Sequence, residues 1–450
     1  MSVIAVTVPI MTNAVQAYAY AGPSTLTAGR LALSTSGGRT ARGPLSHPRF
    51  FSGLLTEAAP AAAGLLAVAN VAQARYDRPA PTFSRDPVVT CNGDRLRFES
   101  FSACGGVYAR LDVLERALDG EVVDLGTTNV DVNGPLREAL ARVGGADPLH
   151  LGVGRDELAV TTLDGAVVEK KVPLPERWLR GFAEVQLVTA GFDLRAELTG
   201  PEAVRFLRTL PRRVGSALWA VPSGRSLRLT SGPGPGAVCL PGPDRLATML
   251  TLLRFARTLR LYGPARPDTA VASAWELELP GMRYVLTLSP DSGRSFSTEG
   301  AVLRTLASDD AADDADLVGA LLAFEPRVEP DLLAERSGLD APRVRAALTQ
   351  LGAAGRVGYD TAEAGYFHRE LPYDRDRVAA MNPRARAARE LADSGAVRLD
   401  GSGLALVTSG DRVREVRGTT CTCPWWARHQ GQRGPCKHVL AVQITKGAQA

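Results

Sequence analysis

Three of the six cysteines of this 450-residue chain fall in its last thirty residues, as Cys421-Thr-Cys423, twelve intervening residues, then Cys436-Lys-His438. On an extended strand, side chains at i and i+2 point the same way, so Cys421 and Cys423 can grip one ion together. Cys436 and His438 would lie on opposite sides of a regular helix. That second pair therefore fits a turn leading into a helix, with Pro435 at the turn and His438 to Ile444 as the helix, burying Val439, Leu440 and Val442. Three thiolates and one imidazole complete a tetrahedral set for Zn²⁺ and leave no position for water, so the expected metal is structural. A secreted disulfide framework does not fit so few cysteines crowded at one end. Two other readings stay open: Cys421 and Cys423 as a redox pair, which leaves Cys436 and His438 unused, and His429 in place of His438.

The string CTCPWWARHQGQRGPCKHVLAVQI combines four ligands in order with a following apolar helix, and it resembles the SWIM zinc finger family, including the PCKHVLAV ending. The likeness spans 404–450, where Leu404, Leu406 and Val407, then Val413 and Val416, supply the hairpin of a ββα finger. It implies Zn²⁺ held by Cys421, Cys423, Cys436 and His438. SWIM fingers are implicated in binding DNA or proteins, and the chain resembles the stand-alone bacterial type; no particular partner is implied. Trp425 and Trp426 either cover the metal core or stack on bases.

A chain this long implies several cores, and the fold class expected is α+β multidomain. Hydrophobic residues are 45% and charged residues 22%, which excludes wholesale disorder and coiled coil. Only four of the 52 basic residues are lysines and the net charge is +4, so global charge does not argue for nucleic acid. Locally, Arg412, Arg414, Arg417, Arg428, Arg433 and Lys437 make the C-terminus basic and are the candidate nucleic-acid contacts there. The first 29 residues hold no Lys or Arg, and Ala58 to Ala74 is interrupted by Pro60, Asn70 and Gln73. The expectation is a cytoplasmic protein with no membrane partner.

Five segments are expected. Residues 1–48 read as a weakly ordered leader with one strand at most. Residues 49–295 read as an α+β scaffold opening with a helix in which Leu65, Val68, Ala69 and Ala72 share a face. RPAPTFSRDP at 78–87 is a Pro-rich boundary. Three helix-then-hairpin units follow: Leu136, Leu140 and Val143 before 149–172, with a turn at Asp164-Gly165; Val204, Leu207 and Leu210 before 217–230; and Leu246 to Arg257 before 270–289, around Pro280-Gly281. These units resemble the repeats of sliding clamps without a shared motif, and ordinary scaffold is the preferred reading.

A module follows at 296–372, within which an aspartate-rich stretch (Asp309, Asp310, Asp313, Asp314, Asp316) reads as a solvated connection. Asp316–Phe324 and Pro330–Ser337 read as helices, and Asp340 caps a third carrying Val344, Ala347, Leu348 and Leu351. Strands at 356–359 and 365–369 follow. With AERSGLDAPRVRAALTQL, this order resembles a winged helix-turn-helix. Reading DNA, the third helix would place Arg343, Arg345, Thr349 and Gln350 in the major groove and Arg356 and Arg369 near phosphates. Asp331, Glu335, Asp360, Glu363 and Glu370 would oppose this, which favours a structural or protein-docking role. A linker helix and strand (373–403) precede the finger (404–450).

Cys91, Cys104 and Cys239 read as buried thiols, and SGPGPGAV (231–238) lacks the lysine of a phosphate loop. His47, His150 and His368 read as structural, and no catalytic triad is apparent. The function expected is a non-enzymatic zinc adaptor for nucleic acid or protein. An enzyme with its site in 88–295 is the alternative, and a cavity of convergent titratable groups would be its mark.

Overall fold

A computed structural model describes residues 49–76, 87–130, 132–145, 147–172, 174–211, 217–291, 293–296, 299–307, 312–371, 375–401 and 403–447, with the backbone of five short strands between Tyr18 and Leu45. The leader otherwise lies outside the described residues, as does nearly all of the 78–87 boundary.

The scaffold is organised by an eight-stranded antiparallel sheet. Its order is Gly126–Asn129, Val88–Cys91, Arg95–Phe101, Val107–Leu114, Met282–Leu288, Ser273–Leu279, Thr258–Gly263 and Asp193–Thr199. The central strands alternate, as the two-residue period of a strand requires. Leu96, Phe98, Ala109, Leu111, Tyr284 and Leu286 join the main core with the helix Ala58–Gln73. Arg95, Arg97, Glu99, Arg110, Asp112 and Arg283 occupy the other face. A five-stranded sheet, ordered Leu118–Val122, Arg49–Leu55, His150–Gly154, Glu157–Thr162, Gly165–Lys170, contributes to the same core.

The hairpins expected at Asp164-Gly165 and Pro280-Gly281 are present, with Thr162 paired to Gly165 and Leu279 to Met282. The hairpins of the three expected units enter three different sheets. The stretch expected as a helix from Leu246 is a 3₁₀ helix, Pro243–Phe255. A further helix, Glu176–Thr189, had no counterpart in the sequence reading. It buries Trp178, Phe182 and Val185 at i, i+4, i+7, but Glu184 and Gln186 are buried on it as well, which blurs the apolar stripe. Phe182 meets the scaffold's Phe101 edge-on at 4.9 Å, and Gln186 donates to the Gly352 carbonyl, so this helix joins the scaffold to the next module.

That module comprises helices Val302–Leu306, Ala312–Ala320, Pro330–Ser337 and Ala341–Ala353 and the ribbon Val357–Asp360/Gly365–His368. The helix expected at Asp316–Phe324 runs from Ala312 to Ala320, so Asp313, Asp314 and Asp316 lie within it, Asp314 buried and the other two exposed. Gly338 ends the third helix at φ +71°, and Asp340 caps the fourth by accepting from the Arg343 amide at 2.9 Å. The segment expected as a linker holds two helices, Arg375–Met381 and Pro383–Asp393. Its strand Val397–Leu399 pairs with Leu404–Ser409 and so belongs to the sheet of the C-terminal module.

Candidate functional site

Cys421 ends a two-residue strand that pairs Val416 with Cys421. Cys423 is already the N-cap of a short helix, Pro424–His429, where its sulfur accepts from the Trp426 amide at 3.4 Å. The pair therefore comes from a strand end and a helix cap, and not from one strand. Cys436 and His438 sit where a turn enters the helix Lys437–Gly447, as their spacing requires.

All four ligand atoms lie within 4.8 Å of one another, and all four residues are buried. The Cys421 and Cys436 sulfurs are 3.7 and 3.9 Å from His438 Nδ1. Tetrahedral Zn²⁺ with Zn–S near 2.3 Å and Zn–N near 2.0–2.1 Å separates its ligands by about 3.5–3.8 Å. The donor set thus fits the ion, and Nδ1 is the nitrogen turned toward the sulfurs. Hydrogen bonding from Cys421 lowers the Cys436 thiol to about 4 against burial, while the same contact, with burial, pushes Cys421 far up. Three sulfurs packed this closely need a cation before all ionise.

The ribbon of the winged module closes over the charged face of the eight-stranded sheet. Asp360 accepts from Arg97 (3.0 Å) and Arg283 (2.8 Å) and forms an ion pair with Arg110 at 2.9 Å, and Asp112 on the sheet meets the same three guanidiniums at 3.0–3.2 Å. Arg97, Asp112 and Arg283 stand directly opposite one another across three strands. Glu363 adds contacts to Arg95 (2.5 Å) and Arg283 (3.1 Å). Arg97 lies 3.9 Å over the Phe367 ring, and Arg369 pairs with Glu99. Arg97, Asp112 and Asp360 are at most 1% exposed, so water does not screen the network. Burial alone would raise the Asp360 carboxyl, but Arg110, Arg283 and Arg97 outweigh it and hold the group well below its usual range.

Residues 404–447 match the SWIM zinc finger. Residues 304–358 match the DprA winged helix domain. No curated protein is similar to the chain. Among solved structures, 54% of the chain is similar to the Proliferating Cellular Nuclear Antigen of Entamoeba histolytica, at 10% identity over 98% of that chain with a TM-score of 0.36. The same share is similar to the PCNA2-PCNA3 complex of Sulfolobus tokodaii, at 10% identity over 99% of that chain with a TM-score of 0.40. At that distance the likeness says nothing about function.

The basic residues of the SWIM finger do not form one strip. Arg412 and Arg414 share the side of their strand that carries buried Val416, and Arg414 donates to the Thr422 carbonyl at 3.5 Å. Arg417 is exposed on the other side with Val413 and Glu415, and Arg428 is exposed on the short helix. Arg433 and Lys437 are half-buried, and Arg433 lies 5.5 Å from the Trp425 ring. Trp425 and Trp426 pack against the finger's core, which is the covering role. His429 packs at a tilt against Trp425, ring centres 4.3 Å apart, and is not in the metal cluster.

The groove-reading residues are largely occupied. Gln350 is buried and donates to the Thr305 carbonyl at 3.3 Å, and Arg369 is 1% exposed, which corrects the placement of both at DNA. Arg343 is exposed but doubly bonded to Asp314 at 2.6 and 2.8 Å, and Arg356 donates to the Gly319 carbonyl at 3.0 Å. Arg345 remains exposed. Asp360 and Glu363, read from sequence as repelling phosphate, are the partners of the sheet arginines. Alternation of charge within apolar strands, as in RLRFES and ARLDVL, was the available signal, and it reads equally as a solvated sheet face.

Cys91 and Cys239 are buried, Cys104 half-buried, and none of the three is bonded to another cysteine. An open cavity of about 470 Å³ on the scaffold is lined by Arg95, Arg116, Arg260, Arg283, Asp94, Glu115, Glu278 and Glu363.

Proposed function

We propose that the protein is a non-enzymatic, zinc-dependent adaptor whose partner is another protein. The observation that carries this reading is that the ribbon of the winged module and the C-terminal half of its fourth helix are spent on contacts within the chain. A DNA-reading winged helix needs those surfaces free for phosphate and base edges. The dispersal of the finger's arginines supports the same reading, since steep electrostatic binding requires several cations along one backbone.

The test is a titration of mixed-sequence duplex DNA by fluorescence anisotropy in 50 and 200 mM salt, with wild type and an Arg343→Ala/Arg345→Ala variant. Weak binding that the variant leaves unchanged is expected. A loss of affinity of about 10³-fold or more between the two salts, together with its abolition in the variant, would return the module to DNA reading. The cavity on the scaffold favours the enzyme alternative by its titratable lining. Against it, Arg95, Arg260 and Arg283 are each already paired to carboxylates, and the lining holds no histidine, cysteine, serine or lysine.

A further inference from the structure

Arg384 opens the helix Pro383–Asp393, which precedes the matched finger. Its Nη1 donates to the carbonyls of Arg433 (2.5 Å) and Pro435 (3.3 Å), the stretch that delivers Cys436. Its guanidinium lies 4.6 Å from the centre of the Trp425 ring, two residues beyond Cys423. With Cys423, Cys436 and His438 it lines one hollow of about 260 Å³ beside the ligands.

Two glycines permit this approach. A Cβ on Gly300 would come within 2.6 Å of Arg384 Nη2 and 2.8 Å of the Arg433 carbonyl. A Cβ on Gly434, whose φ is +69°, would come within 2.3 Å of the Gly300 carbonyl. The start of the Arg384 helix is held from both sides. Asn382 caps it by accepting from the Arg384 amide at 3.1 Å, and Ala385 and Ala388 share a core with Leu303, Leu440 and Ala441. A Zn²⁺ bound by three thiolates and a neutral imidazole carries a net negative charge, and a buried charge of that kind calls for a nearby cation.

We propose that Arg384 is a positioning residue of the metal centre: it fixes the Arg433–Pro435 backbone that presents Cys436, and its charge offsets the excess of the three thiolates. The metal site of this chain thus borrows a residue from outside the finger. Groups of this kind orient ligands and typically change metal affinity by about 10–100-fold when removed.

The experiment uses the full chain. Zinc affinity is measured by competition with a chromogenic chelator, and Co²⁺-loaded protein reports ligand geometry by its ligand-field and thiolate charge-transfer absorption. Arg384→Ala is expected to weaken zinc binding about 10–100-fold and to shift the Co²⁺ bands. Arg384→Lys, which keeps the charge but not the planar fork, is expected to fall between Arg384→Ala and wild type. Arg386→Ala, an exposed position on the same helix, is expected to behave as wild type. Equal zinc affinity and an unchanged Co²⁺ spectrum in Arg384→Ala and Arg386→Ala would overturn the proposal. If Arg384→Ala does not fold, Arg384→Lys decides alone: weaker binding with shifted bands supports it, and wild-type affinity and spectrum sink it.

Discussion

Asp360→Asn is the substitution that bears most directly on how the winged module is held. It keeps shape while removing the one carboxylate that three guanidiniums, at 2.8–3.0 Å, share from the ribbon side. Arg97, Arg110 and Arg283 would then face Asp112 and the partly exposed Glu363. Breaking a buried pair by removing one partner typically costs about 3–5 kcal/mol, because the surviving charge stays desolvated. At 1.36 kcal/mol per tenfold, that is about 2.2 to 3.7 orders of magnitude in the opening equilibrium. Hydrogen exchange by mass spectrometry reads it: amides of the ribbon 357–368 should lose protection by that factor, while the strands 150–170 keep theirs. A second substitution, Arg97→Met, should restore part of the loss, since removing both members spares the orphaned charge. A change under about tenfold in the ribbon would refute the claim that the network anchors it.

Three further outcomes follow from the same structure. His368 accepts the Phe324 amide on Nδ1 at 2.7 Å, and burial with the Arg356 charge lowers it to about 4. The unfolded chain therefore binds the extra proton first, and stability should fall as pH drops from about 6.5 toward 4, as pH-dependent thermal melts of wild type and His368→Gln would show. Burial raises Glu184 to about 8, although the Gly300 and Val302 amides donate to it. Here the folded chain holds the proton, so stability should decline as pH rises from about 4.5 to 8, and Glu184→Gln should flatten that decline in the same melts. Cys436→Ser should release about one equivalent of zinc. It should also raise hydrogen exchange in 383–393 as well as in the finger, because Leu440 and Ala441 share a core with Ala385 and Ala388.

The metal centre was the most legible part of the chain, because ligand chemistry restricts residue type and spacing together. The Cys436 and His438 turn, the hairpin at Asp164-Gly165 and the Asp340 cap were readable for the same local reason. What escaped is tertiary. Arg97, Asp112 and Arg283 alternate with apolar residues as a half-solvated strand would, and the ribbon that covers them lies some 260 residues downstream of Arg97. Glu176–Thr189 escaped because Glu184 and Gln186 bond to distant backbone groups at Gly300 and Gly352, which no local pattern announces. Arg384 was invisible because its meaning depends on two glycines, one of them about eighty residues before it and the other fifty after.

Zinc-edge X-ray absorption on the purified full chain, with metal quantified in the same sample, examines the centre itself. About one zinc per chain, with three sulfurs near 2.3 Å and one nitrogen near 2.0–2.1 Å, is the result this structure predicts. A chain without zinc, or a zinc with fewer sulfurs and a bound water oxygen, would contradict it.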